Sequence, residues 1–129
     1  MKKNDLIKVA INSLKHSYSP YSKFRVGAAL LCKNGKVFTG TNIENSSYSL
    51  TICAERTAIF KAVSEGEKEF DTIVIATESK ELTPPCGACR QVIYEFSPKM
   101  KIILTNGKRS KAFSINELLS YPFIFKKKK

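Results

Sequence analysis

The sequence has no tryptophan, a single histidine and few arginines, since 18 of its 22 basic residues are lysines. With His16 as its one imidazole, the chain cannot build a metal site mainly on histidines. Scarce arginine argues against reading of bases or phosphates, because planar guanidinium groups make most of those contacts. The net charge of +11 therefore indicates a lysine-rich solvated surface, and no stable nucleic-acid partner is expected.

Long apolar runs are also missing. None approaches the ~20 residues that a membrane helix needs, and the basic start leads into an amphipathic stretch and not into an apolar signal core. We therefore expect a cytoplasmic protein with no membrane partner. The chain of 129 residues fits one domain, expected over residues 1–125. The four lysines of residues 126–129 form a like-charge block and predict a disordered basic tail.

The four cysteines are the residues that point to chemistry. In a cytosolic chain they stay reduced, so two disulfides are not expected. Cys86 and Cys89 have the spacing of a redox pair, but such a motif usually follows an early strand in a βαβ pattern. A redox pair would also leave Cys53 and Glu55 without a role. Cys32 ends an apolar stretch without ligand spacing and is predicted to fill the core.

Two short segments bring three of these cysteines into a pattern typical of a metal site. They are Cys53-Ala54-Glu55 and Cys86-Gly87-Ala88-Cys89. Zinc prefers four ligands, so three thiolates leave one position for water, as in catalytic zinc sites. Glu55 is beside the first ligand without being needed as one, so it is free to move protons.

The two segments together resemble the cytidine deaminase family in its short form with three cysteine ligands. The matching stretches are Cys-Ala-Glu at 53–55 and Pro-Cys-Gly-Ala-Cys-Arg-Gln at 85–91, and the resemblance covers about residues 21–123. It implies one zinc ion per chain and hydrolytic deamination of cytidine and deoxycytidine, in which an activated water attacks C4 while Glu55 moves protons. It further implies pyrimidine salvage and a homotetramer whose sites are completed by neighbouring subunits.

The resemblance also implies roles for residues outside the metal motifs. Asn42 and Glu44 would bind the ribose, although the residues alone favour a polar loop at a strand end. Arg56 would donate hydrogen bonds to the thiolates, where an ordinary surface arginine is the alternative. The remaining substrate contacts implied are Phe24 near the pyrimidine, Tyr48 at the pocket edge, the backbone around Ala54 at the base carbonyl, and Phe123 from a neighbouring subunit.

The C-terminal aromatic leaves two possibilities open. Phe123 matches the ring that reaches a partner's site, but Tyr121-Pro122 replaces the family's usual Pro-Gly-type spacing. Phe125 is therefore the alternative. Phe123 could also pack under the last helix of its own subunit, as buried aromatics commonly do.

Three other functions compete with a cytidine deaminase. A blasticidin-type deaminase shares both metal motifs but resembles the chain less at Asn42 and Glu44. A nucleic-acid deaminase would use the positive charge, yet the chain has little beyond a minimal domain with which to hold a polynucleotide. A structural zinc module that binds RNA would need a closed site, with Cys32 or His16 as the fourth ligand.

Hydrophobic periodicity and turn signals predict the element order α-β-β-α-β-α-β-β-α. This order predicts a three-layer α/β/α domain with a mixed five-stranded sheet, and each metal motif lies where a helix follows a strand. Asn4 is expected to cap the first helix, Thr51 the second and Ser114 the last, whereas Pro85 is expected to open the third. The strands are predicted at residues 24–32, 37–41, 72–77, 101–105 and 111–113.

Overall fold

The computed structural model describes residues 1–125, and the predicted tail at 126–129 lies outside the described residues. No helix in this part of the chain is long and apolar enough to cross a bilayer. The elements are α1 (Lys3–Ser13), β1 (Val26–Cys32), β2 (Val37–Thr41), α2 (Ala54–Ser64), β3 (Phe70–Thr77), α3 (Gly87–Phe96), β4 (Lys101–Thr105), β5 (Ser110–Ser114) and α4 (Ile115–Leu118).

The five strands form one mixed sheet in the order β2-β1-β3-β4-β5. Strands β3 and β4 are parallel, and the other neighbouring pairs are antiparallel. The β1–β2 hairpin turns at Gly35, whose φ of +94° is a conformation that glycine adopts without steric cost. The predicted α/β fold with a mixed five-stranded sheet is confirmed.

The helices cover both faces of the sheet, which gives the three predicted layers. Successive side chains of a strand point to opposite faces, so β1 contributes to two cores. Ala28 and Leu30 pack with residues of α2 and α3, whereas Ala29 packs with residues of α1. This double burial explains why β1 is almost continuously apolar instead of alternating.

A close approach at Gly40 fixes where α2 begins. A Cβ atom at this position would lie 2.6 Å from the carbonyl oxygen of Ala54 and closer still to the nitrogen of Ala58. Only glycine therefore lets the first turns of α2 lie flat on β2. The contact holds the N-terminus of α2, and with it the Cys53 motif, against the sheet.

The predicted helix starts are wrong in three cases. Asn4 lies inside α1, which begins at Lys3 and has Lys2 at its N-cap. The N-cap of α2 is Cys53 and not Thr51, whose hydroxyl instead accepts a hydrogen bond from the backbone of Asn45.

Pro85 likewise precedes α3, because Cys86 takes the N-cap position. The predicted capping box at Ser114 is confirmed. Strand edges differ by one or two residues; β1 starts at Val26 because the side chain of Asn42, and not a neighbouring strand, pairs with the carbonyl of Phe24.

Candidate metal centre and active site

Two of the predicted ligands occupy the same local position, the N-cap of a helix. Cys53 precedes α2 with φ −77° and ψ 155°, and Cys86 precedes α3 with φ −67° and ψ 168°. Their carbonyl oxygens accept the first helical hydrogen bonds, from the nitrogens of Thr57 and Arg90. Neither thiol caps its own helix, so both sulfurs are available in the positive potential of a helix N-terminus, which favours thiolates.

The third cysteine completes a compact sulfur triangle. Cys89 is on the first turn of α3, and its Sγ lies within 4.8 Å of the sulfurs of Cys53 and Cys86. The sulfurs of Cys53 and Cys86 are 3.7 Å apart, and all three cysteines are free thiols. Two ligands of a tetrahedral zinc, with Zn–S bonds of ~2.3 Å, lie about 3.8 Å apart. The spacing therefore fits zinc and is far too long for a disulfide of ~2.05 Å.

Within residues 1–125, the group of possible ligands contains these three cysteines and no fourth member. Cys32, the last residue of β1, is buried in the core. His16 is exposed at the end of the turn that follows α1. A closed four-ligand site built with either residue is thus contradicted for the described part of the chain, and a zinc ion held here would keep one open position.

Arg56 lies against the sulfurs and affects their charge. Its Nη2 donates to Sγ of Cys53 at 3.3 Å. A hydrogen bond from the Cys89 thiol, together with the one from Arg56, lowers the pKa of Cys53 to about 5. Two effects raise the pKa of Cys89: the same hydrogen bond to Cys53, which is the larger, and the burial of the thiol. Negative charge therefore develops first on Cys53, where the guanidinium stabilises it.

Glu55 is held at the second position of α2 with only 4% of its surface exposed. Burial disfavours the charged carboxylate and raises the pKa of Glu55 to about 7, and the nearby charge on Cys53 acts in the same direction. A carboxyl group with such a pKa can both take up and release a proton near neutral pH, as a general acid and base must.

Asn42 follows β2 and braces the start of β1. Its side-chain oxygen accepts from the nitrogen of Val26 at 3.0 Å and from the hydroxyl of Ser17, and its Nδ2 donates to the carbonyl of Phe24 at 2.7 Å. The amide has two N–H groups, so the bond to Phe24 occupies one of them. The residue is largely buried and serves local structure as well as any ligand.

Glu44 anchors the turn before Phe24. Its Oε1 accepts from the backbone nitrogens of Tyr21 at 3.0 Å and Ser22 at 3.1 Å, and its Oε2 accepts from the Ser22 hydroxyl. These bonds lower the pKa of Glu44, and the bond from the Ser22 hydroxyl has the largest effect. A carboxylate offers about four lone-pair positions, so one remains for a ligand hydroxyl.

A pocket of about 390 Å³ opens beside this carboxylate. It is lined by Tyr21, Ser22, Glu44, Tyr48 and Thr51. The rings of the two tyrosines meet edge to face, with centroids 6.1 Å apart. Ligand pockets of ~300–1,000 Å³ are typical for small molecules.

The pocket is connected to the metal ligands through the backbone. Ile43 and Ile52 form a two-bond bridge of 3.0 Å each, which ties the strand end at Glu44 to the segment leading into Cys53. The bridge therefore keeps the segment of Glu44 beside the segment that leads into Cys53, and Thr51 of that segment also lines the pocket.

The structure does not bring every predicted residue into this pocket. Phe24 is beside it on the braced turn and is 40% exposed, and Ala54 is buried as the first residue of α2. Phe123 lies elsewhere, with its backbone bound to α3, and the residue is 71% exposed. Phe125 is 75% exposed on the same segment.

Sequence reasoning missed several residues that shape the site. The stretch around Tyr21 and Ser22 reads only as a turn, because nothing in its local pattern shows that Glu44 will accept from it. Thr51 has the residue type of a helix cap, which obscured its place in the pocket. Gln91 has no signal beyond its position at the end of the second motif.

Comparison with known proteins agrees with this geometry. Residues 1–105 match the family model described as the cytidine and deoxycytidylate deaminase zinc-binding region. A cytidine deaminase of Halalkalibacterium halodurans is 49% identical over 95% of this chain and 95% of its own length. A blasticidin-S deaminase of Bacillus cereus is 36% identical over 89% of this chain and 87% of its own length.

Solved structures of other proteins also have this fold. A crystal structure of cytidine deaminase from Burkholderia pseudomallei superposes with a TM-score of 0.92 at 43% identity, covering 95% of this chain and all of the other. The chain therefore belongs to the cytidine and deoxycytidylate deaminase family, with its zinc-binding region.

Proposed function

We propose that the protein catalyses hydrolytic deamination of cytidine and deoxycytidine to uridine and deoxyuridine, with release of ammonia. The observation that carries the proposal is the triangle of three thiols beside the buried Glu55, at the starts of two helices and next to a pocket of suitable size. Residues 1–125 would act as a single zinc-dependent deaminase domain. The reaction would serve pyrimidine salvage in the cytoplasm.

Cys53, Cys86 and Cys89 would hold one zinc ion. The bound metal supplies a Lewis acid that makes a water molecule acidic and nucleophilic near neutral pH. Three thiolates and Zn²⁺ carry one net negative charge, which weakens this effect unless it is compensated. Arg56 and the N-termini of α2 and α3 provide the compensation, because all three present positive potential to the sulfurs.

Glu55 would carry the protons of the reaction. Its carboxylate takes a proton from the attacking water and delivers it to N3 of the pyrimidine while the water oxygen bonds to C4. The second water proton passes by the same carboxyl group to the amino nitrogen, the C4–N bond breaks, and ammonia leaves. Burial that raises the pKa of Glu55 to about 7 suits a group that must be protonated for part of each cycle.

Substrate recognition would use the pocket beside Glu44. The free acceptor position of this carboxylate and the second amide N–H of Asn42 suit a ribose hydroxyl, which both donates and accepts. Phe24 and Tyr48 offer apolar surface for the base and for the pocket edge. The backbone N–H groups of the first turn of α2, at Ala54, have no partner within the helix and would donate to the base carbonyl.

A blasticidin-type activity is the second candidate, because a blasticidin-S deaminase is among the relatives. The Glu44 carboxylate favours cytidine, since it is braced to accept a hydrogen bond from a ribose hydroxyl. We expect purified zinc-loaded protein to release one ammonia per cytidine consumed and to act poorly on blasticidin S. Ammonia and uridine are measured together with both compounds. Ammonia from blasticidin S alone would overturn the proposed substrate, and ammonia from neither would overturn the proposed activity.

We further propose that the active form is a homotetramer with sites shared between subunits. The C-terminal segment supports this, because Tyr121, Phe123, Ile124 and Phe125 are all at least half exposed. Such an apolar cluster on the surface of one subunit marks an interaction site. The pocket beside Glu44 is open to solvent, and an aromatic ring from a neighbour would cover it and exclude water.

Replacing Phe123 by alanine tests the shared site. We expect KM for cytidine to rise about tenfold, because base–aromatic stacking is worth ~1–3 kcal/mol, while the tetramer and the zinc content persist. Phe60→Ala is the control, because Phe60 is an exposed phenylalanine on α2 that lies outside the C-terminal segment. Steady-state kinetics and light scattering provide the readouts. If Phe125→Ala raises KM and Phe123→Ala does not, the reaching ring is Phe125, whereas a fully active monomer would end the shared-site proposal.

A further inference from the structure

The C-terminal segment is fastened to α3 by two consecutive side chains. Arg90 donates from Nε to the carbonyl of Pro85 at 2.8 Å and from Nη1 to the carbonyl of Leu118 at 2.8 Å. Gln91 then bonds to the backbone of Phe123. Both residues directly follow Cys89. The helix whose first turn and N-cap provide two of the proposed zinc ligands therefore also binds the C-terminal segment at Leu118 and Phe123.

The bond pair at Gln91 resembles the pairing of two strands. Nε2 of Gln91 donates to the carbonyl of Phe123 at 2.9 Å, and Oε1 accepts from the nitrogen of Phe123 at 3.1 Å. A backbone carbonyl only accepts and a backbone N–H only donates, so the two partners together fix the orientation of the carboxamide. The backbone of Phe123 is therefore held at both of its polar groups.

The side chain of Phe123 is not held in the same way. The residue as a whole is 71% exposed, although its backbone is bound to α3. A clamp that served only the fold of its own subunit would be expected to bury the apolar ring beside it. A fixed backbone with a projecting ring instead lowers the entropy lost when that ring binds another surface.

We propose that Gln91 is a positioning residue that holds the Phe123 backbone so that the ring is presented to a neighbouring subunit's pocket. This inference rests on the proposed function with its shared site. Gln91 is two residues after Cys89 on the same helix. The helix therefore sets the position of the Phe123 ring relative to the sulfur triangle of its own subunit. The C-terminal segment thereby becomes part of the substrate site of a neighbouring subunit.

The clamp can be tested without any substrate, because the chain has no tryptophan. Phe123→Trp introduces one fluorophore, and its anisotropy and acrylamide quenching report the mobility of the segment. We expect Gln91→Ala in this background to lower the anisotropy and to increase quenching. Gln91→Glu keeps the acceptor for the Phe123 N–H and loses the donor, so it should give an intermediate value. Glu95→Ala, one turn later on the exposed surface of α3, should change nothing.

Kinetics then tests whether the clamp serves the site. Gln91→Ala should raise KM for cytidine about three- to tenfold, the effect of losing one or two neutral hydrogen bonds, with kcat and zinc content within about twofold of the parent. In the Phe123→Ala background, the same change should have no further effect, because its influence passes through the ring.

The outcomes separate the clamp from the proposed function. Unchanged anisotropy in the Gln91→Ala protein overturns the inference, whatever the activity. Additive effects of Gln91→Ala and Phe123→Ala, or loss of zinc from the former, overturn it as well. Absence of ammonia release from the parent protein would instead overturn the proposed function, and the fluorescence result on the clamp would still stand.

Discussion

Replacing Glu55 by glutamine is expected to leave zinc bound and to reduce deamination of cytidine by at least about 10³-fold. Glutamine has the same size and hydrogen-bonding reach as glutamate but cannot carry a proton. One general acid–base group contributes ~10²–10⁴-fold, and Glu55 would serve more than one transfer in each cycle. Single-turnover measurements at saturating cytidine, with zinc determined on the same sample, give the result.

The fold should tolerate this change. Glu55 is 4% exposed, and burial of a carboxyl group is costly, so a neutral amide of the same shape removes that penalty. Glu65→Gln at the end of α2 is the matched control, since Glu65 is exposed and should be silent in rate and in zinc content. A Glu55→Gln protein that keeps its zinc and loses less than about tenfold in rate would remove Glu55 from the catalytic group.

The cluster of three cysteines could be predicted from sequence because its signal is short in range and specific in chemistry. Cys53-Ala54-Glu55 and Cys86-Gly87-Ala88-Cys89 each state a ligand type and a spacing, and zinc restricts both. The sheet was predictable for a similar reason, because apolar runs and Gly-containing turns encode strands locally. The structure adds the reason that the two motifs meet, which is that each precedes a helix on the same face of the sheet.

The pocket and the C-terminal clamp were beyond sequence reasoning because their contacts join distant residues. Glu44 accepts from Ser22, and Gln91 bonds to Phe123 32 residues away. No periodicity relates such pairs, and each side chain alone has many possible partners. Thr51 shows the same limit, since its residue type suits an N-cap while its hydroxyl serves the loop at Asn45. Local preference gives way to tertiary contacts at these positions.

Removing any one of the three thiols is expected to abolish both zinc binding and deamination. Cys53→Ala, Cys86→Ala and Cys89→Ala each leave two of the three sulfurs that lie within 4.8 Å of one another. Two thiolates cannot hold the ion against water and chelators, because a catalytic zinc site depends on three protein ligands. Metal analysis after dialysis against a chelator, followed by the cytidine assay, should show zinc near zero and no ammonia.

Cys32→Ala separates a ligand from an ordinary cysteine. Cys32 is a free thiol, but as the last residue of β1 it is buried in the core, outside the sulfur triangle. Its loss should cost about 1 kcal/mol of stability through the missing sulfur and leave about one zinc per chain with full activity. Cys86 is the sharpest test of the set, because it is exposed and contributes little to the core. If Cys86→Ala kept its zinc through dialysis, Cys86 would not be a ligand. Another residue would then have to supply the third ligand.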